Sequence, residues 1–124
     1  MTTSVTRIIT ELADREAIRE TLYRYARGID RIDADMIRSA YWPDAVDTHL
    51  EFKGDTETYI AWVFPQLKAM DQTMHMISNV LIRLSGNSAD VESYYYGYHR
   101  ADIDGRIEHR IGVIAAGRLE AGYA

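Results

Sequence analysis

DREAIRETLYRYARGID, residues 14–30, is the stretch whose reading decides the fold. Ile18, Leu22, Tyr25, Ala26 and Ile29 recur at the spacing of a single apolar stripe on an α-helix. Asp14 fits an N-cap, and Glu16 falls in the first turn, where the helix dipole favours an acid. At about 100° per residue, Tyr25 sits near the middle of the stripe and Asp30 at its edge, roughly 100° away. Periodicity alone therefore reads Asp30 as a solvated residue at a helix end. A stripe of this kind needs a surface to cover, and the second half of the chain supplies it.

Upstream, Val5, Ile8, Ile9 and Leu12 form an amphipathic turn or two leading into this helix. Downstream, Asp33 caps a shorter helix with Met36, Ile37, Ala40 and Tyr41 on its inner face, and Pro43 after Trp42 stops it. AVDTHLEFK, residues 45–53, reads as one or two short strands ending at Gly54-Asp55. A third helix begins near Asp55 or Thr56 and carries Tyr59, Ile60, Val63, Phe64, Leu67 and Met70, with Pro65 expected to kink or interrupt it. From Met74 the period changes. MHMISNVLIRL and ADVESYYYGYHRAD read as strands around an SGNS turn, Asp104-Gly105 marks a tight hairpin, and a further strand begins near Ile107. Helices followed by antiparallel strands indicate an α+β fold, a curved sheet with helices on one side.

With 124 residues, 47% hydrophobic and 27% charged, the chain has the length and composition of one globular domain, residues 1–124. The net charge of −5, with no basic run, argues against a nucleic-acid partner, whose binding needs clustered Lys and Arg. No apolar run approaches the roughly 20 residues that span a bilayer, and the N-terminus lacks the pattern of a signal peptide. The expectation is a cytoplasmic protein with no membrane partner. The absence of cysteine excludes disulfides, a thiol nucleophile and zinc–thiolate sites. Nine tyrosines against two tryptophans and two phenylalanines supply flat apolar bodies with polar tips, suited to a pocket for a ring-shaped ligand and equally to interfaces.

His49, His75, His99 and His109 form no HxH or HExxH arrangement, and no phosphate-cradling glycine loop or nucleophile elbow is present. No metal and no cofactor is expected. Strand alternation places His75, Ile77 and Asn79 on one face and Met76, Ser78 and Val80 on the other. Neither face is purely apolar, which suits a strand bordering a cavity. His99 shares a face with Tyr95 and is placed at the same cavity, whereas His49 and His109 read as surface residues.

The run LADREAIRETLYRYARGID, then YWPDA, FKGDTETYIAWV and MHMISN, resembles a SnoaL-like domain of the nuclear transport factor 2-like superfamily over residues 8–100. In layout it is similar to that superfamily's lyases (scytalone dehydratase, bile-acid 7α-dehydratase and hexachlorocyclohexane dehydrochlorinase). The resemblance implies a cone-shaped, curved mixed or antiparallel sheet wrapped around the long N-terminal helix, with a hydrophobic pocket between them. Lyases of this kind continue into a charged hairpin and a last strand, whereas this sequence stops at GRLEAGYA, so the fold is expected to lack that last strand. The resemblance then implies a barrel that is either less closed or completed by a neighbouring subunit.

The resemblance also implies a dyad of Asp30 and His75, with Tyr25 as a third catalytic residue and Tyr41, Trp42, Asn79 and His99 in substrate binding. His75 would be the general base, Asp30 would orient its ring, and Tyr25 would donate a hydrogen bond to a carbonyl or a departing hydroxyl. The implied activity is a cofactor-independent, dehydratase-type lyase acting on an apolar, hydroxylated cyclic or polycyclic small molecule. Two other activities share that fold: a ketosteroid-type isomerase or polyketide cyclase, and a non-catalytic ligand binder or dioxygenase small-subunit-like protein. A homo-oligomer, trimer or dimer, is expected to cover the exposed sheet face and edges.

Overall fold

The computed structural model describes residues 4–103 and 106–120, with side chains through residue 102. The Asp104-Gly105 hairpin and the surface reading of His109 lie outside the described residues and side chains. The element order is α1 (Ser4–Arg31), α2 (Ala34–Ser39), β1 (Asp47–His49), β2 (Phe52–Gly54), α3 (Thr56–Lys68), β3 (Gln72–Ser85), β4 (Ser88–Ile103) and β5 (Arg106–Glu120). β1 and β2 form a small antiparallel pair, and β3-β4-β5 an antiparallel sheet in that order. This is the α+β architecture expected, a long first helix lying against an antiparallel sheet.

The first helix is longer than its apolar stripe indicates. It runs unbroken from Ser4, so Asp14 is internal to it rather than its N-cap, and residues 5–12 are two further turns of the same helix. The physical reason is local: no Gly or Pro separates the two segments, and Arg7–Glu11 and Glu20–Arg24 pairs sit at i,i+4. At the other end Ile32 adopts φ 52°, its N–H bonds the carbonyl of Ile29 at 3.2 Å and that of Asp33 bonds Gly28 at 2.9 Å. This is a left-handed C-terminal motif built on a β-branched residue where glycine is usual. It ends α1 one residue after the turn containing Asp30 and starts α2, whose N-cap Asp33 accepts from the Met36 N–H at 3.1 Å. Asp55 caps α3 in the same way through the Thr58 N–H at 2.8 Å. Pro65 does not interrupt α3, which continues to Lys68; Ala61, the carbonyl left without a donor, is on the exposed side.

Two apolar clusters flank the middle of α1. Toward its N-terminal half, Ile18 packs with Ile82, Ala89 and Val91, bordered by Leu22, Val80 and Leu84, and Arg15 ties the helix to the Ile82 carbonyl at 2.7 Å. Toward its C-terminal end, Ile29 and Ile37 join Phe52, Tyr59, Ile60, Val63 and Leu67. The sheet bends between them. The β3–β4 register shifts between Ser78 and Leu81, the β4–β5 register shifts between Val91 and Tyr94, and Asn79 takes φ 50° at the slip. Such a bulge adds a residue and inverts the alternation beyond it. Asn79 consequently turns outward and is exposed, while Val80 turns inward onto the Ile18 cluster, the reverse of the period-two reading. The outer face of the sheet carries exposed Met74, Met76, Tyr94 and Tyr96. Among the described residues, no helix is long and apolar enough to cross a membrane.

Candidate active site

Asp30 and His75 meet where the end of α1 faces the start of β3. The last full turn of α1 directs the Asp30 side chain at the inner face of β3, three residues into that strand. Its Oδ1 lies 2.7 Å from His75 Nδ1 and receives the Thr73 hydroxyl at 3.0 Å; its Oδ2 receives the His75 backbone N–H at 2.9 Å. A carboxylate accepts hydrogen bonds and cannot donate them, so across the 2.7 Å contact Nδ1 is the donor, and in the neutral imidazole Nε2 then carries the lone pair. Both side chains are largely enclosed, 19% exposed for Asp30 and 14% for His75. Because Asp30 grips the backbone as well as the ring of the same residue, it fixes where β3 sits and how the imidazole is turned. Tyr95 and His99, on the same face of β4, place their rings 5.6 and 5.2 Å from that of His75, the histidine edge-on.

The remaining sequence-derived candidates divide. His99 lies beside His75 as expected. Tyr25 and Tyr41 belong instead to a second polar cluster, next to α2 and α3. Asn79 is exposed at the bulge, and Trp42 is 39% exposed beyond the end of α2. Neither is brought to the dyad. Two depressions on the surface, one beside Arg15, Ile82 and Val91 and another between Arg27, Arg31 and Arg38, contain none of these candidates. His49, read as a surface residue, is only partly so: its ring packs 5.5 Å from that of Tyr59 and 6.0 Å from that of Trp62.

The second cluster is a group of phenols. The Tyr25 and Tyr59 hydroxyl oxygens are 2.6 Å apart, and the Tyr41 hydroxyl donates to the Asp47 carboxylate. Tyr25 and Tyr41 stand edge to face with ring centroids 6.0 Å apart. Burial pushes the Tyr25, Tyr41 and Tyr59 phenols well above their ordinary range. The Asp47 charge pushes each the same way.

Three participants escaped the sequence reading. Thr73 stands in phase with His75 two residues earlier, and strand alternation could have found it. Tyr59 keeps the helical spacing of a core residue, and nothing local marks its hydroxyl as bonded to α1. Asp47, placed only in a short strand, gains its meaning from Tyr41, which reaches it after the chain turns at the end of α2. Among the described residues no cluster of His, Asp and Glu is arranged to hold a metal ion.

Comparison with known proteins follows this geometry. No curated protein matches the chain. Among solved structures, an NTF2-like protein with a cystatin-like fold from Novosphingobium aromaticivorans superimposes with a TM-score of 0.71 at 20% identity, covering 95% of this chain and 88% of that one. A protein from the same organism, proposed to be a scytalone dehydratase, gives 0.66 at 16% identity over 93% and 92% of the two chains. A type 2 hexachlorocyclohexane dehydrochlorinase gives 0.65 at 14% identity over 92% and 93%. At these identities the likeness is one of fold. The SnoaL-like domain family matches residues 10–123, nearly the whole sequence, and the chain belongs to that family.

Proposed function

We propose that this protein is a cofactor-independent lyase of the dehydratase type, acting on a hydroxylated cyclic small molecule with His75 as the base and Asp30 as its orienting partner. One observation carries the reading: the 2.7 Å contact of Asp30 Oδ1 with His75 Nδ1, on a carboxylate that also holds the His75 backbone and Thr73. His75 Nε2 takes a proton from the carbon next to a carbonyl, the electrons of the broken C–H bond form the double bond, and the β-hydroxyl leaves. The departing oxygen recovers that proton from the imidazolium and is released as water. Asp30 stabilises the imidazolium while it exists. The family supports a reading as a small-molecule enzyme, and the two neighbours named as a dehydratase and a dehydrochlorinase support an elimination.

Tyr25, whose hydroxyl oxygen lies 2.6 Å from that of Tyr59, is given no role as a donor to substrate in this scheme. The inner-face neighbours Tyr95 and His99 are the groups that shape the space around Nε2. The exposed Met74, Met76, Tyr94 and Tyr96 form the face on which a second copy would pack. The test is turnover of β-hydroxy cyclic ketones, followed by loss of water in the mass spectrum. Asp30→Asn is expected to lower the rate by about 10⁴ and His75→Ala to abolish it. Near-wild-type elimination in both variants refutes the dyad, and a product of unchanged mass identifies an isomerase instead.

A further inference from the structure

On the inner face of the sheet, the position directly across from His75 carries no side chain. The β3–β4 register pairs Thr73 with His99, His75 with Gly97 and Ile77 with Tyr95, and residues paired in this way share a face. The usual reasons for a glycine in a strand do not apply here. Gly97 does not take the positive φ of Gly86, it ends no strand, and both ladders keep their register through it, the slips lying at Ser78/Leu81 and Val91/Tyr94. What Gly97 does have is two rings in the place of its side chain. A Cβ built there would lie 2.9 Å from Tyr95 Cε2 and 3.3 Å from His99 Cε1, the first closer than real Cβ atoms come. Tyr95 leans forward along β4 and His99 leans back, so the two meet over the buried Gly97 backbone. Their ring centroids lie 5.6 and 5.2 Å from that of His75, Tyr95 tilted at 41° and His99 nearly perpendicular at 82°.

We propose that Gly97 is a positioning residue: the side chain it lacks is what allows Tyr95 and His99 to close on the His75 ring and hold the direction of Nε2. This rests on the reading of His75 as the base. Asp30 sets the ring through Nδ1, but one hydrogen bond is a pivot, and the far edge of an imidazole can still swing about it. A displacement of about 1 Å at Nε2 takes it out of line with a C–H bond, and a misplacement of that size costs about a hundredfold in rate. Tyr95 and His99 stand at the two diagonal positions on β4, one level with Ile77 and the other with Thr73, so they bar that swing in both directions along the strand. A methyl group at position 97 would strike ring edges and not backbone, so the sheet can keep its register while the rings give way. What is lost is their hold on His75. Gly97 acts through the two rings and needs no contact of its own with substrate.

Nuclear magnetic resonance of the full chain with ¹³C-labelled histidine tests this without a substrate. The ring currents of Tyr95 and His99 displace the His75 Cε1–H and Cδ2–H signals, and Tyr95→Ala calibrates the share of Tyr95. Gly97→Ala is expected to move both signals toward their Tyr95→Ala positions and to broaden them, with circular dichroism unchanged. In the Tyr95→Ala background the 2.9 Å contact is gone, and the same methyl group is expected to move them little further. With β-hydroxy cyclic ketones, turnover per folded molecule of Gly97→Ala is expected to fall at least about tenfold. Signals that stay in place, signals that move equally in both backgrounds, or a displaced ring with wild-type turnover each overturn the proposal. Where Gly97→Ala alone does not fold, adding Tyr95→Ala is expected to restore the fold, and failure to restore it overturns the proposal as well. A wild-type protein that eliminates nothing refutes the base and leaves the ring signals to be read, so the two failures are distinguishable.

Discussion

Gly28→Ala tests how tightly the end of α1 is seated. A Cβ added at Gly28 would lie 2.7 Å from Ile37 Cγ1, 3.0 Å from the Ile37 backbone nitrogen and 3.3 Å from the Asp33 carbonyl oxygen. Two effects oppose each other. Alanine is favoured over glycine inside a helix by about 1 kcal/mol. Overpacking at a closed contact costs typically about 1–3 kcal/mol, and the atoms met here cannot swing aside. Ile37 is fully buried, and its N–H is bonded to the Asp33 carbonyl at 3.1 Å in the first turn of α2. With the approach at 2.7 Å the steric cost falls in the upper part of that range, about 2–3 kcal/mol, for a net loss of about 1–2 kcal/mol in urea denaturation with an unchanged m-value. Removing the struck side chain supplies the control. Ile37→Ala alone costs about 2–5 kcal/mol, and the double variant is expected to lose less than the sum of the two. A Gly28→Ala protein as stable as wild type, or strict additivity in the double variant, refutes the close approach.

Four further outcomes follow from the same contacts. Thr73→Val removes one of the hydrogen bonds to Asp30 and is expected to cost about 1–2 kcal/mol in denaturant unfolding while leaving the sheet intact by circular dichroism. Ile18→Ala, at a position 0% exposed, is expected to cost about 2–5 kcal/mol, and a cost below 1 kcal/mol would contradict its place between α1 and the sheet. The raised phenols of Tyr25, Tyr41 and Tyr59 set an alkaline limit: their contribution is fully present below the unfolded value of about 10 and is lost as pH rises through the higher folded values. Stability should then fall by up to about 1.4 kcal/mol per pH unit for each phenol, whereas a flat profile above pH 10 would contradict their burial. Met76→Glu on the outer sheet face is expected to lower the sedimenting mass if copies associate there, and an unchanged oligomer places the contact elsewhere.

What the sequence made legible was whatever is periodic or locally signalled. The apolar stripe through Ile18 and Ile29 identified the central helix, and Asp33 and Asp55 marked real helix starts because a cap is read from its own neighbours. The start of α1 was misplaced because a good capping residue inside a run of strong helix formers is simply helical. Asn79 and Val80 were exchanged because alternation carries no sign of an inserted residue, and a single bulge inverts every side chain after it. The pairing of Asp30 with His75 was not readable from either segment, which lie 45 residues apart; only the family resemblance joined them. Tyr59 and Asp47 were legible as helix core and strand, and their polar roles exist only once α1, α2 and α3 are packed together.

The central claim is that Asp30 holds the His75 ring with its hydrogen on Nδ1 and the basic lone pair on Nε2. A ¹⁵N–¹H correlation of the ring, recorded where the imidazole is neutral, measures this directly. The account predicts a protonated Nδ1 and a bare Nε2 in the wild type, reversing in Asp30→Asn as the new amide donates to Nδ1. A wild-type ring with its hydrogen on Nε2, or one whose tautomer ignores Asp30→Asn, would contradict it.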